Sequence, residues 1–149
     1  MRKYVVTVMM LSLVACSHSE NVDLARPQQV ETGFIQVLNQ PGYYIDSASI
    51  WIDSKSPAVI NFDMVTNLSQ GQQGFKHYPT EIAKSVRSHK KINCQTNTYS
   101  RAGEIVYSDF WGKGIALSQH RQLSRTVTIQ PDTRLDTVAK VLCANFYKD

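Results

Sequence analysis

The spacing of apolar residues in this 149-residue chain changes once. A period of two runs from Gly33 to Pro131 and a helical period follows, so sheet precedes helix. "FIQVL" (Phe34 to Leu38) is a strand candidate, closed by the turn signal Asn39-Gln40-Pro41-Gly42. "YYID" and "SIWID" follow, rich in aromatic and β-branched residues. In "VINFDMVTNL", Ile60, Phe62 and Met64 fall on one face, Asn61 and Asp63 on the other. Gly71 and Gly74 mark a loop; "SVRSHKKINC", "EIVYSDF" and "RTVTIQ" are further strands, with "WGKG" breaking the pattern between the last two. Beyond Pro131, Leu135, Val138, Ala139, Leu142 and Phe146 form one apolar helical stripe. Thr133 with Asp136 resembles a capping box, with Asp in place of the usual Glu. The expected fold class is α+β, an antiparallel sheet of about six strands with the C-terminal helix packed on one face.

The start of the chain stands apart from this domain. Met1-Arg2-Lys3 is basic, and the apolar run from Val5 to Val14 is interrupted only by Thr7 and Ser12. That run is far short of the ~20 residues a membrane-spanning helix needs, and the pattern reads as a signal peptide over residues 1–15. Its exit, Leu13-Val14-Ala15-Cys16, resembles the bacterial lipobox. The resemblance implies cleavage before Cys16 and a diacylglycerol on its thiol, and Ser17 implies delivery to the outer membrane. Residues 16–32 then read as a lipidated flexible tether and residues 33–149 as the folded domain. Of three cysteines, only Cys94 and Cys143 remain for pairing. An exported chain meets an oxidising compartment, so a disulfide is expected to tie a strand to the last helix.

That pairing sets strand parity. If Cys94 points at the helix, Ile92 and Val86 do too, whereas Arg87, His89 and Lys91 point outward. Lys90 and Ser88 share the inward parity, which calls for a bulge or an edge position.

Composition narrows the function. The formal charge is +4, falling to +2 once Arg2 and Lys3 leave with the signal peptide, too little to argue nucleic-acid binding. Four histidines are scattered without metal-ligand spacing, and no nucleophile elbow, zincin or phosphate-loop motif occurs. The expectation is a binding protein rather than an enzyme, with no cofactor and no metal.

The densest charge lies at Lys84, Arg87, Lys90 and Lys91, with His89 among them. It reads either as a docking stripe for acidic partners, such as heparin-like polyanions, or as a solvated strand face whose lysines discourage aggregation. "YSDFWGKG" places Tyr107, Phe110 and Trp111 beside a glycine turn; exposed, they would anchor a partner, but the cluster is read as closing the end of a core, with Phe110 deeper than Trp111. Lys113, His120, Arg121 and Arg125 form a second basic group.

Taken in order, "YYIDSASIWID", "NFDMVTNL", "AKSVRSHKKINC", "DFWGKGI" and "TIQPDTRLDTVAKVLCANF" resemble the surface-adhesin E family of Gram-negative lipoproteins. The likeness runs from about Gly33 to Tyr147. It implies a sheet disulfide-bonded to a C-terminal helix, display at the outer membrane, self-association into dimers, and binding of vitronectin, laminin and plasminogen. The family's host-binding segment corresponds to "YPTEIAKSVRSHKKINCQTNTY"; its basic pair is replaced here by Thr80-Glu81, so those contacts do not carry over. The alternative is a periplasm-facing envelope lipoprotein that binds another envelope component.

Overall fold

The computed structural model describes residues 21–121 and 125–147; the segment read as a signal peptide and Cys16 lie outside the described residues. The strands are β1 (Asn21–Asp23), β2 (Phe34–Gln36), β3 (Tyr43–Asp53), β4 (Ser56–Asn67), β5 (Gln70–Gln72), β6 (Ser85–Asn93), β7 (Thr98–Asp109), β8 (Lys113–His120) and β9 (Thr126–Thr128). Helix α1 (Arg134–Phe146) closes the fold. The main sheet is antiparallel in the order β2-β3-β4-β6-β7-β8, with β9 beside the start of β7; β1 and β5 pair separately. This is the expected α+β arrangement.

Long alternating runs fix the register. Ile60 and Phe62 of β4 pair with Ile92 and Lys90 of β6, and Ile45 of β3 pairs with Met64. Directly opposed residues share a face, so this side presents Ile45, Ile60, Phe62 and Ile92 to Val138, Ala139 and Leu142 of α1. Ile60, Phe62 and Ile92 are fully buried. Each such side chain contributes about 1.5–3 kcal/mol when removed from water. Phe146, read as part of the same helical stripe, is 39% exposed and lines a groove with Ile35, Leu38 and Val141. Cys94 and Cys143 are bonded, with Cα atoms 5.7 Å apart, so a covalent link backs the packing of helix on sheet.

Thr133 caps α1: its hydroxyl accepts the Asp136 N–H at 3.2 Å. The carboxylate of Asp136 reaches back to the N–H of Asp132, one residue before the cap, rather than to Thr133 itself. Lys140, one turn on, donates to that carboxylate and is the main cause holding it below the usual range.

Three expectations are corrected. Residues 113–120, passed over after the glycine break, form strand β8. The irregularity expected near Lys90 lies in the neighbouring strand: the register slips between Ser88↔Glu104 and His89↔Ala102, leaving Gly103 as the extra residue of β7. Gly103 has φ +73, a conformation that favours glycine, and a Cβ there would meet the His120 carbonyl oxygen at 2.9 Å. β6 is therefore a central strand, not an edge. Third, the chain over 21–32 packs on the domain instead of hanging free. β1 pairs with β5, the Leu24 N–H donates to the Ser69 carbonyl, and Glu31 is ion-paired to Lys113.

Candidate functional site

The side of the sheet away from α1 is polar at its centre. Asp46, Asp63 and His89 stand in line across β3, β4 and β6, since Asp46 opposes Asp63 and Asp63 opposes His89. Arg87, two residues from His89 on the same face, donates from Nη1 to Asp46 Oδ2 at 2.8 Å and to Asp63 Oδ2 at 3.0 Å. Burial by itself would lower the guanidinium's pKa; the bonds and charges of the two aspartates outweigh it and hold it above the ordinary value. Gly112 lets the chain cross close above this arginine: a Cβ there would lie 2.8 Å from Arg87 Nε.

His89 extends the cluster. Its Nδ1 lies 2.9 Å from Asp63 Oδ1 and its Nε2 lies 3.2 Å from Asn61 Oδ1. Both neighbours are acceptors, so a doubly protonated ring donates to each. A neutral ring keeps the bond to Asp63 and accepts from Asn61 Nδ2 once that amide turns over. Asn61 is fully buried and its Nδ2 has no partner among the described residues; turning the amide over pairs that nitrogen with the ring and puts Oδ1 in the place it leaves. Asp63, Arg87 and His89 line a cleft of about 470 Å³ whose far wall is Gly103, Glu104, His120 and Arg121.

The five basic residues of the sequence-derived stripe are thus dispersed. Lys84, just ahead of β6, is paired with Asp109 at 3.2 Å, and Arg87 is held between two carboxylates. Lys91 stands on the same outward face, opposite Asn61 and Ser100. Lys90 points the other way, toward α1, beside Phe62 and Arg101, and is 7% exposed. Its ammonium lies 5.4 Å from the centroid of the Tyr99 ring. Burial first, and the charge of Arg101 second, lower its pKa to about 8. Of the second basic group, Lys113 and His120 bound β8, Lys113 is paired with Glu31, and Arg121 enters the cleft.

The ring cluster at "DFWG" does close a core end, with the order of depth reversed. Trp111 is buried and Phe110 only half-buried. Trp111 has φ +67, rare for a bulky side chain and costing about 1–3 kcal/mol. What holds it there is visible: its N–H donates to the buried Asn67 side chain at 2.8 Å, and its ring packs on Tyr44 and Phe34 at 4.5 and 5.0 Å between centroids. The clamp on Arg87 was missed from sequence. Its only signal was the polar parity of Asn61 and Asp63 inside an otherwise apolar strand. Among the described residues, no group of three or more metal-ligating side chains gathers, and no helix is long and apolar enough to cross a membrane.

Comparison with known proteins identifies the kinship. The sequence model of a family described as surface-adhesin protein E matches residues 34–144. The chain belongs to the surface-adhesin protein E family. Surface-adhesin protein E of Haemophilus influenzae strain Rd is 35% identical over 154 residues, covering 99% of this chain and 96% of that one. The protein of strain NTHi 3655 is 34% identical with the same coverage. Among solved structures, protein E from non-typeable Haemophilus influenzae superposes with a TM-score of 0.80 at 36% identity over 87% of each chain. Another protein E structure gives 0.78 at 36% identity over 87% of this chain and 97% of that one. The family is one of adhesins, not of enzymes, and the adhesin E fold here keeps its sheet, terminal helix and disulfide.

Proposed function

We propose that the protein is a surface adhesin of the outer membrane, held there by diacylglycerol on Cys16, whose ligands are host matrix or plasma proteins of the vitronectin, laminin and plasminogen kind. The observation that carries this reading is kinship over nearly the whole length of both chains with proteins named for surface adhesion. The lipobox-like exit at Leu13 to Cys16 supports the anchor, and β1 supports a short distance between lipid and domain.

For an acidic partner the outward face of β6 is the contact we assign, with Lys91 at its centre and His89 beside it. Arg87 lies beneath, already neutralised, and Lys90 is turned away, so neither supplies free charge to a ligand. Such contact weakens with salt, because the Debye length is only ~8 Å at physiological ionic strength.

The test uses intact cells producing the full chain, with adhesion to immobilised vitronectin and laminin measured before and after protease shaving. Shaving is expected to remove both the domain and the adhesion, and Lys91→Glu to lower adhesion at unchanged display. A domain protected until the cells are permeabilised would overturn surface placement and favour the periplasm-facing alternative.

A further inference from the structure

We propose that the turn Phe75 to Pro79 is a membrane-contact element that sets the domain on anionic lipid headgroups beside its own anchor. This rests on the reading of Cys16 as the lipidated residue.

The argument begins with where the chain leaves the fold. Asn21, the first residue of β1, pairs with Gln72, the last residue of β5. In an antiparallel pair the segment before one strand runs out alongside the segment after the other. Asn21, from which the chain leads back to Cys16, therefore lies beside Gln72, from which it leads forward to Phe75. Cys16 and Asn21 are five residues apart, a covalent reach of at most about 18 Å. Gln72 and Phe75 are three residues apart, about 10 Å at most. The lipidated residue and this turn are thus tethered within about 33 Å of one another even with both segments fully extended.

The composition of the turn suits that position. Phe75 and Tyr78 bridge across it, the Tyr78 N–H donating to the Phe75 carbonyl at 3.0 Å, which puts Lys76 and His77 at its tip. Lys76, His77 and Pro79 are exposed and Tyr78 is 38% exposed. Other lysines of this end are taken: Lys84 by Asp109 and Lys113 by Glu31. Lys76 has no ion-pair partner among the described residues. Tyrosine settles at the headgroup level, and lysine beside it is drawn to anionic phosphates. Away from the turn, Trp51 and Ile52 of β3 are exposed. Trp51 opposes Asn61, six residues before the end of β4 at Asn67, so it stands about 20 Å from that end along the strands.

The experiment reconstitutes the full lipidated protein in vesicles of phosphatidylethanolamine and phosphatidylglycerol carrying brominated acyl chains, recovered by flotation. Tyr78→Trp in a Trp51→Phe background reports the turn; the native chain, with Trp51 exposed along the middle of the β3–β4 pair and Trp111 buried, reports the rest. Tyr78→Trp emission is expected to be quenched severalfold more than native emission. Adding Lys76→Glu with His77→Glu is expected to remove most of that difference. A chain that floats with equal quenching in both overturns this inference alone, as does quenching that survives the charge reversal. A chain that does not float overturns the anchor, and this inference with it.

Discussion

Replacing Lys90 with methionine is expected to stabilise the protein, an unusual outcome for a central strand position. Methionine keeps the unbranched stem packed against Phe62 and removes an ammonium that sits 7% exposed near Arg101. A lysine that gives up its proton at about 8 instead of 10.5 carries a cost of about 3 kcal/mol for being charged at neutral pH. The contact with the Tyr99 ring, about 1 kcal/mol at such a site, is lost with it. The net gain is about 1–2 kcal/mol, or roughly 3–6 °C in Tm for a domain of this size. The pH dependence separates this cause from a simple packing gain. Between about 8 and 10.5 the unfolded chain holds a proton that the folded chain releases, so native stability rises with pH across that window. The advantage of the variant therefore shrinks as pH rises and is greatest below 8. Urea and thermal unfolding of both proteins at neutral and alkaline pH measure it. A variant no more stable than the native protein at neutral pH, or a gap that fails to narrow with alkali, would refute the reasoning.

Opening the Cys94–Cys143 link by a double serine substitution is expected to cost about 4 kcal/mol on chain-entropy grounds, its separation being 49 residues, and urea unfolding with and without reductant reads the loss. Arg87→Ala leaves Asp46 and Asp63 facing each other without their shared cation. The expected loss is about 2–3 kcal/mol at neutral pH, below that of a fully buried pair because these side chains keep some solvent. Urea unfolding midpoints check it. Gly112→Ala at φ +66, with its Cβ against Arg87, is expected to destabilise by about 1–2 kcal/mol in the same assay.

The sheet-then-helix order was legible because β4 and α1 are long enough for their periods to be counted, and burial of Ile60, Phe62, Val138 and Leu142 follows those periods. Cys94 and Cys143 were legible as a pair by elimination. β8 was hidden because Gly112 interrupts the approach to it and Gly114 its second position, and its short run is mostly exposed. β1 and β5 have three residues each, too few for a period, and are held by each other. The basic stripe misled because adjacency in sequence is opposition in a strand: Lys90 and Lys91 face opposite sides. The fate of Arg87 depended on aspartates 41 and 24 residues away, a distance that only the register of β3, β4 and β6 closes.

The placement of β1 also bears on how the domain would respond to pulling. Under the proposed anchor a tug would enter at Asn21, so the three-residue pairing of β1 with β5 would be the first part of the fold to bear it. Should that pairing slip, tension passes to the long neighbouring strands, and the bond between Cys94 and Cys143 bars the stretch between them from paying out.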